Sequence, residues 1–224
     1  MDILNLDYML ALVPILLRYL PLTLGMAAAG MVLALALACG LAVVRVLKIP
    51  GLNAVTLLFI SFFRGTPLLV QLFLFYYGLP QIMAFLTSIN GITATIMGLT
   101  LHFSAYMAES IRAAIVGVDR SQTEAALSIG MTNAQLMRRI VLPQATRIAV
   151  PTLMNYFIDM IKATSLAFTL GVTELMGATQ KEAAGSFLYF EAFVTVAVIY
   201  WAIVEALAWL QRRLESRLNE AYRR

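Results

Sequence analysis

The sequence predicts an all-α membrane protein, and three observations lead to that fold class. Of the 224 residues, 61% are hydrophobic and only 12% are charged, whereas soluble domains carry roughly 25% charged residues. The mean hydropathy is +0.85. Residues 19–44 and 65–108 contain no charged side chain, and a helix needs about 20 apolar residues to cross a bilayer. Residues 1–224 are therefore expected to form a single transmembrane domain.

Five membrane-spanning helices are predicted from these runs. The run at 65–108 is too long for one span, and Pro80 and the Asn90-Gly91 pair divide it into two. Before the first span, residues 4–18 form a shorter amphipathic segment that is expected to lie along the membrane surface. The predicted spans are about 19–44, 67–86, 93–111, 148–170 and 187–210.

The first span carries small residues at every fourth position. Gly30, Ala34, Ala38 and Ala42 lie on one helical face. Small residues let helices approach closely in lipid, where van der Waals packing drives helix association. This face is therefore predicted to pack against another helix.

The basic residues predict the orientation of the bundle. Thirteen of the sixteen Lys and Arg residues fall in the segments that follow the first, third and fifth spans. Arg18 and Lys181 fall on the other side, and Lys162 falls within a span. Cytoplasmic loops carry the excess of Lys and Arg. The N-terminus is therefore predicted to lie outside the cell and the C-terminus inside.

Enzyme chemistry is not predicted for this chain. Cys39 is the only cysteine and His102 the only histidine, so neither an intramembrane nucleophile with its base nor a metal cluster can be assembled from them. His102 is interpreted as a packed helix residue. No glycine-rich loop followed by lysine is present to grip a nucleotide phosphate. Catalytic and metal-binding residues are both expected to be absent.

Residues 121–143 form a polar insert between the third and fourth spans. Ser121 with Glu124 and Thr132 with Gln135 have the spacing of two helix-capping boxes. Gly130 is expected to end the first short helix in a left-handed conformation, and Pro143 is expected to stop the second. The insert is thus predicted to be a rigid cytoplasmic protrusion made of two short helices, suited to docking on another protein.

The insert resembles the EAA loop of bacterial ABC importer permeases. The fixed positions of that motif are all present, at Glu124, Ala125, Ala126, Gly130, Ile140, Leu142 and Pro143. The stretches Phe63-Arg64-Gly65-Thr66-Pro67 with Gln71, Tyr76-Tyr77-Gly78-Leu79-Pro80, and Lys162-Ala163-Thr164-Ser165-Leu166 are similar to the polar amino acid branch of that family. Together these segments place the resemblance over residues 20–215.

The resemblance implies a transmembrane subunit of a type I ABC importer in the bacterial inner membrane. Such a subunit pairs with a second copy or a sister permease, binds two cytoplasmic ATPase subunits, and receives its substrate from an external solute-binding protein. ATP and magnesium would bind to the ATPase, with no cofactor in this chain and no nucleic acid as partner. Residues 121–129 would be the coupling helix, and transport would proceed by alternating access.

A polar amino acid is the substrate that the resemblance implies. The stretches around Arg64 and Tyr76 look most like cystine-type permeases, while histidine, arginine, glutamine and glutamate stay open as alternatives. Arg64, Gly65, Thr66, Pro67 and Gln71 have two interpretations, a gating element or a helix entry at the membrane interface.

Asp159 and Lys162 are the candidate substrate residues. Intramembrane charges are costly and usually functional, and residues three apart share a helical face. A zwitterionic amino acid needs a cation for its carboxylate and an anion for its ammonium group, but the pair can equally neutralise itself at a subunit interface. Further candidates along the path are Asn155, Thr164, Ser165 and Glu191, whereas Glu109 is interpreted as an ion-pair partner of Arg112.

A stand-alone channel or secondary transporter is the remaining alternative. Secondary transporters commonly contain internal structural repeats, and no repeat is evident in the sequence. A coupling insert would also serve no purpose without an ATPase.

Overall fold

The computed structural model describes residues 4–84 and 87–220, and within these ranges the secondary structure is helical. In chain order the helices are α1 (Leu6–Leu17), α2 (Leu20–Leu47), α3 (Leu52–Gly65), α4 (Leu68–Phe73), α5 (Gly91–Val116), α6 (Arg120–Ser128), α7 (Asn133–Leu136), α8 (Leu142–Ala163), α9 (Leu175–Ser186) and α10 (Tyr189–Glu220). Helix α4 continues as a π-helical turn, Leu74–Gly78, and a 3₁₀ turn, Leu79–Gln81. A second π-helical segment, Met137–Val141, joins α7 to α8, and a 3₁₀ segment, Thr164–Leu170, follows α8.

Helices α2, α5 and α8 form the centre of the molecule. Ala34, Ala38 and Ala42 on α2 are buried, which confirms the predicted packing face. A Cβ atom added at Gly30 would lie 3.0 Å from the sulfur of Met160 on α8 and 3.3 Å from Cβ of Leu99 on α5. The small residues thus let three helices meet closely.

Helices α1, α9 and α10 form a second cluster beside this centre. Leu12 and Leu16 of α1 are buried against residues of α9 and α10. The hydroxyl of Ser186 donates to the Tyr8 hydroxyl over 2.9 Å, and the Asn5 amide donates to Glu191 over 3.3 Å. The segment predicted at 4–18 is therefore a helix packed on the bundle.

The second predicted span differs most from the structure. Residues 52–65, which were not assigned to a span, form helix α3, and the following segment Leu68–Gln81 is bent by 109° relative to it. Thr66 between them is extended, with φ −119° and ψ 145°, because the residue before a proline is disfavoured in the α region. The end of the predicted span, residues 85–86, lies outside the described residues.

Among the described residues, two helices have the length and apolar composition to cross a membrane, Leu20–Leu47 and Tyr189–Arg217. The bent pair Leu52–Gly65 and Leu68–Gln81 can form a third span. Helix α8 begins six residues before the predicted position 148 and ends at Ala163 rather than 170. Helix α9 was not predicted, because its sequence is polar and contains glycine, as loop sequences commonly do. The count of five spans stays a prediction, as does the orientation.

Candidate functional site

The insert between α5 and α8 begins with a cap that differs from the predicted one. Asp119 precedes the first turn of α6, and its carboxylate accepts from the Ser121 amide over 2.9 Å. The predicted capping box of Ser121 and Glu124 is wrong, because α6 already begins at Arg120 and Ser121 lies inside it. The Ser121 amide stabilises the charged carboxylate and lowers the pKa of Asp119 from its usual value.

The second predicted capping box is confirmed. The Thr132 amide donates to Oε1 of Gln135 over 2.9 Å, and the Gln135 amide donates to the Thr132 hydroxyl over 3.3 Å. Gly130 adopts φ +84°, which confirms the left-handed end of the first helix. The prediction that Pro143 stops the second helix is wrong. Pro143 lies in the first turn of α8, where the missing N–H costs little, so the chain is helical from Asn133 to Ala163.

Four of the seven residues of the EAA motif line one groove. Ala126 is 3% exposed and packs in a cluster with Leu136, Val141 and Ala145. The groove has a volume of about 500 Å³ and lies between α6 and the start of α8, where its walls include Ala125, Ala126, Ile129, Ile140 and Pro143. Motif positions that are 18 residues apart in sequence, Ala125 and Pro143, therefore share one surface.

Apolar side chains are exposed at the C-terminal end of α6 and directly after it. Ile129 is 78% exposed and Leu127 is 46% exposed, while Glu124 and Leu142 are also exposed. The side chain of Gln144 donates to the side-chain oxygen of Gln122, which connects α6 directly to α8. The insert thus presents an apolar surface to the solvent and is tied to the helix behind it.

Asp159 and Lys162 form the predicted pair. Nζ of Lys162 lies 2.7 Å from Oδ1 of Asp159, and each side chain is 52% exposed. Both residues are on α8, less than one turn apart, so they share a face as predicted. A half-exposed ion pair retains donors and acceptors for a ligand, since an ammonium group has three donors and a carboxylate about four acceptor positions.

The other predicted path residues are only partly brought together. Asn155 is exposed one turn before Asp159, and Ser165 lies beside Lys162 in the wall of a groove. Thr164 is fully buried and donates to the Ile161 carbonyl over 2.6 Å. Glu191 is at the start of α10, where it accepts from the Asn5 amide. These contacts place Thr164 in helix packing and Glu191 at the α1 contact.

Glu174 connects three helices through its buried carboxylate, and this role was not predicted from the sequence. Its carboxylate is fully buried and accepts from the Thr23 hydroxyl over 3.2 Å, the Tyr200 hydroxyl over 3.3 Å and the Gly177 amide over 2.9 Å. It therefore joins α2, α9 and α10. Glu174 is the one charged residue between Lys162 and Lys181, and that isolation is the sequence signal that points to it.

The bend between α3 and α4 is braced by Gln71. Its side-chain nitrogen lies 3.0 Å and 3.1 Å from the carbonyl oxygens of Phe63 and Thr66, and its oxygen lies 3.1 Å from Nδ1 of His102 on α5. Gln71 is only 1% exposed. Arg64 lies over the ring of Tyr106, 5.3 Å from its centroid. His102 is thus a packed helix residue, as predicted. It also contacts Gln71, which braces the bend.

A cluster of three charges joins α2 and α5 near one end of each helix. Glu109 accepts from Arg112 over 2.9 Å, as predicted, and also from Arg45 over 3.3 Å. Arg45 in turn donates to the side chain of Asn53 on α3 over 2.9 Å. The cluster connects three helices.

Comparison with known proteins decides the family. Residues 50–220 match the model of one protein family. The description of that family is "binding-protein-dependent transport system inner membrane component". The chain belongs to this family. The permease is 62% identical to the probable amino-acid ABC transporter permease protein PatM of Vibrio harveyi, over 96% of this chain and 97% of that protein.

Two further comparisons describe the permease more closely. It is 37% identical to the L-cystine transport system permease protein TcyL of Bacillus subtilis (strain 168), over 93% of this chain and 89% of that protein. A chain in the crystal structure of an amino acid ABC transporter with histidines superimposes with a TM-score of 0.89 at 33% identity, over 96% of this chain and 99% of that chain.

These findings confirm the predicted family and fold. The permease is a non-catalytic, integral inner-membrane component of an amino-acid ABC transporter, with the fold of type I ABC importer permeases. Its family works with a binding protein, and an ABC transporter permease works with an ATPase.

Proposed function

We propose that this permease imports a polar amino acid, with cystine as the favoured substrate, by ATP-driven alternating access. Residues 1–224 act as one domain with five spans, its N-terminus outside and its C-terminus inside the cell. Two permease chains, identical or sister subunits, bind two ATPase subunits that hold ATP and magnesium. A solute-binding protein delivers the substrate from the outside.

The observation that carries this proposal is the convergence of four EAA-motif residues, Ala125, Ala126, Ile140 and Pro143, on one groove. The groove lies at the start of α8, and the Asp159–Lys162 pair lies near the end of the same helix. Because the chain is helical from Asn133 to Ala163, a displacement at the groove moves the pair. A docking surface and a ligand site are thus joined by one helix, as an ATPase-driven transporter requires.

The ligand chemistry supports an amino acid. Lys162 offers a cation for the substrate carboxylate and Asp159 offers an anion for its ammonium group, while Ser165 and Asn155 can donate further hydrogen bonds. We interpret Arg64, Gly65, Thr66, Pro67 and Gln71, which form the bend between α3 and α4, as a packing element and not as a gate, because Gln71 is 1% exposed and its amide contacts Phe63, Thr66 and His102. The 37% identity to an L-cystine permease supports cystine as the substrate.

Copurification with the ATPase tests the docking surface. In Ala125→Arg the guanidinium would enter the groove beside Arg139, so we expect the amount of copurified ATPase and the rate of ATP-dependent amino-acid uptake to fall at least tenfold. Ser216→Arg adds the same charge on the exposed part of α10 and is expected to behave as the wild type. Normal copurification and uptake with Ala125→Arg would contradict the proposed docking surface.

A further inference from the structure

The last turns of α10 carry an aromatic and basic face at the end of a membrane span. The spanning part of this helix, Tyr189–Arg217, has 29 residues, which correspond to about 43 Å at about 1.5 Å per residue. The hydrocarbon core of a bilayer is about 30 Å thick, and the bilayer is about 40–45 Å thick with both headgroup layers. The apolar run of α10 ends near residue 210. Trp209 therefore lies at the edge of the hydrocarbon, and the residues after it lie in a headgroup layer.

Contacts with α8 determine which side of this helix end points outward. The side chain of Gln211 donates to the Pro151 carbonyl on α8 over 3.4 Å and to Oε1 of Glu215 over 2.9 Å. Gln211 and Glu215 therefore lie on the inner side. Trp209 is 49% exposed and Arg213 is exposed, so the face that these two residues share is directed away from α8.

Trp209 and Arg213 form a cation–π contact on this outward face. The guanidinium carbon of Arg213 lies 4.0 Å from the centroid of the Trp209 ring. A guanidinium that stacks on an aromatic ring keeps the N–H donors at its edge, where they can bind a phosphate in a bidentate manner. Tryptophan is enriched where the membrane meets water. The contact thus holds phosphate-binding donors at the depth of the phospholipid headgroups.

The charge of the outward face is positive. Arg212, Arg213 and Arg217 are all exposed, and none of them forms an ion pair with a carboxylate whose side chain the structure describes. Glu215 is hydrogen-bonded on the inner side. Glu205 precedes Arg213 by about 12 Å along the helix axis. Basic residues directly after a membrane span attract anionic lipids, and this face meets that description.

We propose that the outward face of Trp209, Leu210, Arg213 and Arg217 is a binding site for an anionic phospholipid. Arg213 and Arg217, one helical turn apart, bind the headgroup phosphate. Trp209 and Leu210, which is 50% exposed, contact the glycerol group and the start of an acyl chain. This apolar surface beside the arginines fits an acyl chain, which neither free phosphate nor an acidic protein surface provides. The inference is independent of the transported substrate, since it requires only that α10 crosses the bilayer.

Quenching of Trp209 fluorescence by brominated lipids tests this site in the reconstituted permease–ATPase complex. The chain has two tryptophans, so Trp201→Phe leaves Trp209 as the reporter, and the further change Trp209→Phe gives the background of the ATPase. The vesicles consist of phosphatidylcholine with the same fraction of either brominated phosphatidylglycerol or brominated phosphatidylcholine. We expect phosphatidylglycerol to bind at least about fivefold more tightly than phosphatidylcholine, which is the contribution of about one basic residue at an anionic surface.

Two results of this measurement would overturn the proposal. Equal quenching by the two brominated lipids would show that Trp209 contacts lipid without selecting an anionic headgroup. No quenching by either lipid would show that a protein surface, of the ATPase or of a second permease chain, covers the face.

Arginine variants assign the preference to this face. Arg213→Gln combined with Arg217→Gln is expected to bring the two lipid affinities within about twofold of each other. Arg18→Gln removes an exposed arginine at the junction of α1 and α2 and should keep the wild-type preference. Arg217→Gln alone serves if the double variant does not assemble, with an expected decrease of at least about twofold. An unchanged preference in an assembled variant of Arg213 or Arg217, or an equal decrease in Arg18→Gln, counts against the site.

Inorganic phosphate distinguishes a lipid site from a site for a free anion. A large excess of phosphate, compared with potassium chloride at the same ionic strength, is expected to leave the quenching by brominated phosphatidylglycerol unchanged. The reason is that free phosphate cannot replace the apolar contacts of the acyl chain. Loss of quenching in phosphate but not in potassium chloride would show that the face binds a free anion, and the lipid assignment would be wrong.

Discussion

Gln71 and the Asp159–Lys162 pair are polar groups of the helix bundle that differ in burial and in their hydrogen-bond partners. Gln71 is 1% exposed and contacts Phe63, Thr66 and His102 with both ends of its amide. Asp159 and Lys162 bind each other and stay 52% exposed. The two differ in how many of their hydrogen-bond donors and acceptors are already paired with other groups of the protein.

That difference separates a structural role from a ligand-binding role. A buried amide with all its partners provided by the chain stabilises one arrangement of α3, α4 and α5. A half-exposed ion pair retains hydrogen-bonding capacity that a substrate can use. Changes at Gln71 should therefore act on stability, and changes at the pair should act on transport.

The largest effect is expected from Lys162→Ala. We expect ATP-dependent uptake in proteoliposomes to fall by at least about tenfold, since the substrate carboxylate loses a hydrogen bond to a charged group, which contributes about 1.5–3 kcal/mol. Assembly with the ATPase, measured by size-exclusion chromatography, should not change. Uptake at the wild-type rate and affinity would remove the pair from the substrate site.

The double variant Asp159→Ala with Lys162→Ala distinguishes binding from self-neutralisation. If the pair only neutralises itself, removing both charges leaves no unpaired charge, and uptake should recover relative to the single variant. If the pair binds the zwitterionic ends of the substrate, the double variant should be as inactive as Lys162→Ala. We expect the second result.

A smaller effect, on stability rather than transport, is expected from Gln71→Leu. The change leaves the donor of His102 and the carbonyl of Phe63 without this partner, at a cost of about 1–3 kcal/mol for each buried group. The melting temperature of the purified permease should fall by several degrees, while folded protein retains uptake within about threefold of wild type, on the context-dependent scale of such hydrogen-bond losses.

His102 offers the matched control for this contact. His102→Asn retains a donor near the position of Nδ1 and should keep most of the stability, whereas His102→Phe keeps the ring and loses the donor. Equal melting temperatures for these two variants would show that the bond to Gln71 does not brace the bend.

The sequence predicted what depends on composition and local spacing. Charge-free runs located α2 and α5, the Thr132–Gln135 spacing located a cap, and the EAA spacing located the groove residues. A helix entry at Pro67 was expected, but helix α3 before it was missed, and the contact that braces the bend joins Gln71 to His102, 31 residues away. Glu174 was missed because its partners Thr23 and Tyr200 lie on helices that only the fold brings together.

The smallest effect is expected at Glu109, which lies between the two extremes of the comparison. Its side chain is 20% exposed and contacts both Arg45 and Arg112, so it is more satisfied than Asp159 and less buried than Gln71. Glu109→Gln keeps an acceptor but removes the charge, and we expect a stability loss of about 0.5–1 kcal/mol, as for partly exposed ion pairs. Thermal unfolding at low and high salt measures it, and the loss should shrink at high salt because screening already weakens the wild-type cluster. A decrease in uptake as large as that of Lys162→Ala would show that exposure does not distinguish ligand-binding charges from structural ones in this permease.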